Sequence, residues 1–125
     1  DLQIIYIDKT TKQFLIKEPP SIYLPADVKV YNETLEPADF KVYDKYNFVT
    51  IPVFRGNTFS HSPGVNYTYR KFIDLKNDRD TIDYSFMIKE TICGGSALEY
   101  IKVKYNNQVI VDRRNEINVT FNIEK

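Results

Sequence analysis

Among its 125 residues the sequence has one cysteine, one histidine, one methionine, four glycines and no tryptophan. A lone Cys93 cannot close an internal disulfide, so the chain is not one of the small bridged scaffolds and its core must hold by packing alone. One histidine and one cysteine also fall short of the usual four protein ligands of a zinc site, and no cofactor is expected. Lys plus Arg and Asp plus Glu are both 17, giving a net charge of zero and no overall field to steer a polyanion. Nucleic acid is therefore not an expected partner. No apolar run reaches the length of about 18 residues that a spanning helix needs. Glycine-rich phosphate loops are missing too, since Cys93-Gly94-Gly95-Ser96 lacks the lysine and the strand-to-helix setting.

What is abundant is tyrosine and phenylalanine, ten and eight residues, within a chain that is 42% hydrophobic and 27% charged. That balance excludes a disordered chain and fits one globular domain over residues 1–125 with one core. The apolar residues recur with period two wherever a period is readable, which is the mark of half-buried strands. Ile117, Val119, Phe121 and Ile123 alternate with Asn118, Thr120 and Asn122. Over residues 83–89, Tyr84, Phe86 and Ile88 share one side and Asp83, Ser85 and Lys89 the other, with Met87 as an exception on the wet side. Residues 98–105 alternate Ile101, Val103 and Tyr105 with Lys102 and Lys104, reach Asn106-Asn107, and resume at Val109.

Two adjacent asparagines tolerate positive φ, so a tight hairpin is predicted there. Its register is open: a two-residue loop sets Val103 opposite Ile110, and a three-residue loop sets it opposite Val111 with better apolar pairing. Residues 67–75 read as a strand followed by a polar turn over 76–80. The run 48–54 carries Pro52 and reads as an edge strand or a bulged one. Residues 2–7 and 13–17 flank a polar turn as a hairpin stopped by Pro19-Pro20, and residues 28–31 and 40–43 are shorter strands. Pro37 limits residues 35–40 to a single turn at most. About eight or nine strands at roughly 8–12-residue spacing predict an all-β, two-sheet antiparallel sandwich of the immunoglobulin-like kind.

Chemistry-bearing groupings are few. His61 lies in Phe59-Ser60-His61-Ser62-Pro63-Gly64, and sequence neighbours rarely supply the geometry that a serine nucleophile and its base require. The acidic stretch of Asp74, Asp78, Asp80 and Asp83, with Asn77, holds the weak metal candidate at Asp78, Asp80 and Asp83, because a hard cation takes roughly six to eight oxygens. Lys76 and Arg79 sit inside it and would repel a cation, so a solvated turn between strands is the preferred reading. Cys93 reads as a small, partly buried packing residue beside glycines that permit a wide loop. Three Asn-x-Thr triplets, at Asn32, Asn66 and Asn118, read as incidental in a chain rich in both residues. The remaining grouping is aromatic. Tyr67 and Tyr69 share one side of a strand with Lys71, which places that side next to solvent, and Phe59 and His61 lie in the preceding loop. Exposed rings mixed with polar residues compose many recognition surfaces, although rings that simply cover a sheet face are the commoner case.

The segments 80–89, Cys93-Gly94 and 100–107 resemble the mature parts of small uncharacterised envelope lipoproteins of Bacteroidota, over roughly the last third of the chain. The resemblance implies an exported domain, in the cell envelope or secreted, held to a membrane only through a lipid on a cysteine upstream of residue 1. It transfers no catalytic residue. The expectation is thus a non-catalytic binding or structural module with a protein or glycan ligand, using Phe59, His61, Tyr67 and Tyr69. An accessory carbohydrate-binding domain on that same surface is the first alternative, and an enzyme is the least favoured.

Overall fold

The alternation of apolar and polar residues becomes nine strands in the computed structural model, which describes residues 1–16, 23–53, 61–115 and 118–125. They are β1 (Leu2–Ile7), β2 (Val28–Asn32), β3 (Lys41–Tyr43), β4 (Phe48–Ile51), β5 (Tyr67–Leu75), β6 (Asp78–Glu90), β7 (Ser96–Tyr105), β8 (Gln108–Arg114) and β9 (Val119–Glu124). The helical elements among the described residues are single 3-10 turns at Pro25–Asp27 and Asp44–Tyr46. Strands in the order β3-β4-β1-β9 make one sheet, and β2-β5-β6-β7-β8 make the other. The two sheets pack against each other as the expected two-sheet sandwich. Among the nine strands one pairing departs from an antiparallel arrangement: β1 and β9 run parallel over six residue pairs, from Leu2 opposite Val119 to Ile7 opposite Glu124.

The period of two decides what each strand buries. On β6, Ile82, Tyr84, Phe86 and Ile88 face inward, while Met87 and the polar residues between them are only partly covered. On β9, Val119, Phe121 and Ile123 do the same against Leu2, Ile4 and Tyr6 of β1 in a single cluster that spans both sheets. A bulge where β7 meets Met87 and Ile88 lets Leu98 and Ile101, three residues apart, both point inward.

The hairpin at Asn106-Asn107 resolves the two registers. Both asparagines take positive φ, 46° and 69°, and the loop has two residues with Tyr105 opposite Gln108. A bulge between Val103 and Lys104 then shifts the pairing, so Val103 meets Val111 and the apolar pattern is kept. Turn chemistry sets the loop, and burial sets the register beyond it.

Three expectations change. β4 ends at Ile51, before Pro52, and lies between β3 and β1 rather than at an edge, because a proline past the strand end removes no ladder bond. The turn after β5 is only Lys76-Asn77, with Lys76 at φ 56°, and β6 begins at Asp78. Residues 13–16 return beside β1 by an isolated bridge, Ile7 to Phe14, since β4 and β9 already occupy both edges of most of β1. Pro19, Pro20 and Ile117 lie outside the described residues.

Candidate functional site

The tyrosines singled out from the sequence stand on the side of β5 that carries core residues at its far end, and at their own end that side borders solvent, with Tyr67 half-buried and Tyr69 exposed. They share that side with Ile73 and Leu75, both fully buried, and Lys71 on the same side is half-buried with its ammonium donating to Oδ1 of Asn32. Register places Tyr67 opposite Phe86 and Tyr69 opposite Tyr84. His61 closes this group: its ring meets Tyr67 edge-on at 4.5 Å between centroids, and Nε2 lies 2.9 Å from the Tyr69 hydroxyl. The Tyr67 hydroxyl accepts the Ser62 backbone N–H at 2.7 Å. Burial, then the neighbouring Tyr69, push the Tyr84 hydroxyl up to about 12. The structure therefore brings His61, Tyr67 and Tyr69 together as a ring cluster whose polar atoms are already bonded, with Tyr69 38% exposed at its border. Phe59 lies outside the described residues.

The acidic stretch is divided by the same period of two. Asp83 faces outward and is held by Arg70 through two bonds, Nε to Oδ1 at 2.6 Å and Nη2 to Oδ2 at 2.9 Å, which lower its pKa. Asp78 and Asp80 lie on the other side, where the Lys125 ammonium is 2.5 Å from an oxygen of each. Asp80 is not a solvated turn residue as expected: it is 3% exposed, and its Oδ1 accepts the Asn106 side-chain amide at 2.9 Å. Its Oδ2 forms the ion pair with Lys125. Burial acts to lower the Lys125 pKa, but hydrogen bonds and charge from the two carboxylates outweigh it and the net shift is upward. Beside this pair, burial first of all pushes the Tyr6 and Tyr105 hydroxyls far up. No cluster of three or more His, Cys, Asp or Glu side chains among the described residues is arranged to hold a metal.

Cys93 is exposed rather than partly buried, in the turn between β6 and β7 where Ile92 is fully exposed as well. Gly94 takes a positive φ of 78° in that turn, and the Thr91 hydroxyl braces it by accepting the Gly95 N–H at 3.1 Å.

Sequence reasoning missed the outer face of the β3–β4 hairpin. Tyr43 and Phe48 stand opposite each other with centroids 5.0 Å apart, and Tyr46 stacks on Phe48 at 6.0 Å and 23°. Tyr46 is 61% exposed and Tyr43 37%. Next to this stack lies a groove of about 420 Å³, lined by Asp1, Asp39, Phe40, Lys41, Tyr43, Thr50 and Pro52. Thr50, between Lys41 and Gln3 in the ladder, is 9% exposed, and its hydroxyl has no hydrogen-bond partner among the described residues. The signal in the sequence was the spacing Tyr43-x-x-Tyr46-Asn47-Phe48, in which an asparagine able to take positive φ folds two aromatics into register; Asn47 sits at 59°.

No protein-family model matches this chain, no curated protein matches it significantly in sequence, and no solved structure matches it significantly in fold.

Proposed function

We propose that this chain is a non-catalytic binding module whose ligand surface is the outer face of the β3–β4 hairpin. The observation that carries the reading is the stack of Tyr43, Phe48 and Tyr46, which leaves its outermost ring 61% exposed beside a groove with polar walls. Large rings on a folded domain are ordinarily covered, and an exposed stack on a rigid hairpin is the composition of a contact site. The surface around Tyr67, Tyr69 and His61 serves the reading less well, since its hydroxyls are engaged within the protein. Location in a cell envelope, or secretion, belongs to the same proposal and rests on the lipoprotein resemblance of the last third of the chain. A reading frame with a hydrophobic leader and a lipidated cysteine upstream of Asp1 supports it, and a cytoplasmic frame without one refutes it.

Two measurements test the proposal. Tyr46→Ala leaves the unfolding midpoint nearly unchanged if the ring serves a ligand, whereas a large loss shows that it is structural. Chromogenic ester, glycoside, phosphate and peptide substrates are expected to give no turnover, and turnover that survives repurification overturns the non-catalytic part.

A further inference from the structure

The geometry points to an intramolecular amide bond between Lys71 and Asn32, formed by the protein itself with the Asp39 carboxylate moving the protons. Register sets Asn32 of β2 directly opposite Lys71 of β5, and the half-buried Lys71 ammonium donates to Oδ1 of Asn32. That contact puts the carbonyl carbon of Asn32, about 1.2 Å beyond its oxygen, at most roughly an ångström outside the ~3–3.5 Å of a near-attack arrangement. Both backbones are held: Asn32 donates its N–H to Glu36 at 2.8 Å and accepts that of Leu35 at 2.9 Å, and β5 is bonded to a strand on each side. Both residues line a pocket of about 280 Å³ together with Pro37, Ala38, Asp39 and Pro52. Burial lowers the Lys71 pKa, which favours the neutral, nucleophilic amine, and the Asp39 charge acts against it. The same charge makes Asp39 the acceptor for the proton that the amine must lose.

The step balances without an oxidant or a second reactant. Asp39 takes one proton from the ammonium, and the Lys71 nitrogen attacks Cγ of Asn32. The new C–N bond forms as Cγ releases its NH2 group, which leaves as ammonia with a second proton from the attacking nitrogen. The proton held by Asp39 then converts the ammonia to ammonium. One lysine and one asparagine side chain become a single secondary amide, and β2, an edge strand of its sheet, is tied covalently to its neighbour. A second lysine–asparagine contact, Lys89 to Asn115 at 2.6 Å, is exposed and is expected not to react, because water keeps that amine charged.

Intact-protein mass spectrometry of the purified chain, before and after several days at neutral pH, tests the inference. The expected mass is about 17 Da below that of the expressed sequence, the ammonia lost, and digestion should yield a branched peptide joining Asn32 to Lys71. Lys71→Arg and Asn32→Ala should each restore the full mass, and Asp39→Ala should slow the loss at least roughly a hundredfold. Asn32→Asp should form the same bond with loss of water, about 18 Da, an outcome that a merely hydrogen-bonded pair does not give. Circular dichroism of each variant confirms that the fold is retained. Full mass persisting in the folded, unsubstituted chain overturns the inference. So does a loss that survives Lys71→Arg, which marks a cyclic imide at an asparagine and not a bridge. A branched peptide that forms as fast in Asp39→Ala leaves the bond standing and overturns the role of Asp39.

Discussion

The Lys125 ammonium lies 2.5 Å from Oδ2 of Asp80, joining the residue after β9 in one sheet to the longest strand of the other. Asp80 is all but sealed, with its side chain 4% exposed, while Lys125 keeps 16%. Removing the lysine leaves a buried carboxylate beside the Asn106 amide and the Tyr105 hydroxyl, with no counter-charge against its Oδ2. Lys125→Met should therefore cost roughly 2–4 kcal/mol, below the top of the range for fully buried pairs because the lysine touches water. Adding Asp80→Asn should restore part of that loss, and a double-mutant cycle by urea titration measures the coupling. Strictly additive losses would mean that the two charges do not stabilise one another.

Alkali should unfold the protein earlier than acid does. Tyr6, Tyr84 and Tyr105 have hydroxyl pKa values raised in the folded state, Tyr84 to about 12, mainly by burial. Above about pH 10 the unfolded chain loses these protons while the folded chain keeps them, so the folded state binds more protons and stability falls with rising pH. Each group contributes up to about 1.4 kcal/mol per pH unit between its two pKa values. Lys125, also raised, acts in the same direction above its unfolded value of about 10.4. Asp74 and Asp83 are lowered by their arginines, so what they add is present above the ordinary carboxylate pKa and lost as pH falls through their folded values. Both pairs are at the surface and add little. The urea midpoint should drop clearly from pH 7 to pH 11, and Tyr84→Phe should flatten the drop. An equal midpoint at both values would contradict the burial of these hydroxyls.

The hairpin at Asn106-Asn107 gives opposite signs for one kind of substitution. Asn107, at φ 69°, uses no side-chain bond that anchors a strand, so Asn107→Gly should be neutral or stabilising by a few tenths of a kcal/mol. Asn106, at φ 46°, accepts the Thr81 N–H at 2.8 Å and donates to Asp80 at 2.9 Å. Asn106→Gly should cost about 1–3 kcal/mol even though glycine suits the backbone better. Equal effects at both positions in thermal unfolding would show that the backbone, not the side chain, dominates.

Phe86 is fully buried at the centre of β6, and Phe86→Ala should cost about 3–5 kcal/mol. Phe121, at 9% exposure on β9 in the outer strand of its sheet, should lose less, toward the lower end. A loss under about 1 kcal/mol at both in denaturant titration would put the inward face on the wrong side.

The strands that alternate cleanly, such as 119–124 and 83–89, were readable because a single period fixes both the element and its buried face. Reading failed where two neighbouring strands decide the matter. Lys71 implied a wet side for Tyr67 and Tyr69, and the side is wet at Tyr69, yet it turns into core at Ile73 and Leu75, and Asn32 on β2 receives the Lys71 ammonium. Asp80 looked like loop because its partner is 45 residues away at Lys125, and no local pattern encodes such a meeting. The parallel pairing of β1 with β9 was likewise invisible, since alternation states which face is apolar and says nothing of direction or neighbour. At the β3–β4 face the rings were in plain view, but their exposure depends on what the opposite sheet leaves uncovered.

That parallel pair also fixes how the protein answers a pull. The chain enters at the lower end of β1 and leaves at the upper end of β9, with the two strands side by side over residues 2–7 and 119–124. Tension between the two ends slides one strand along the other, so the evenly spaced, slanted bonds of the ladder are loaded together and not opened one at a time. Such a clamp yields at the rate of a concerted step, and the force needed to break it is a kinetic property, not a measure of equilibrium stability.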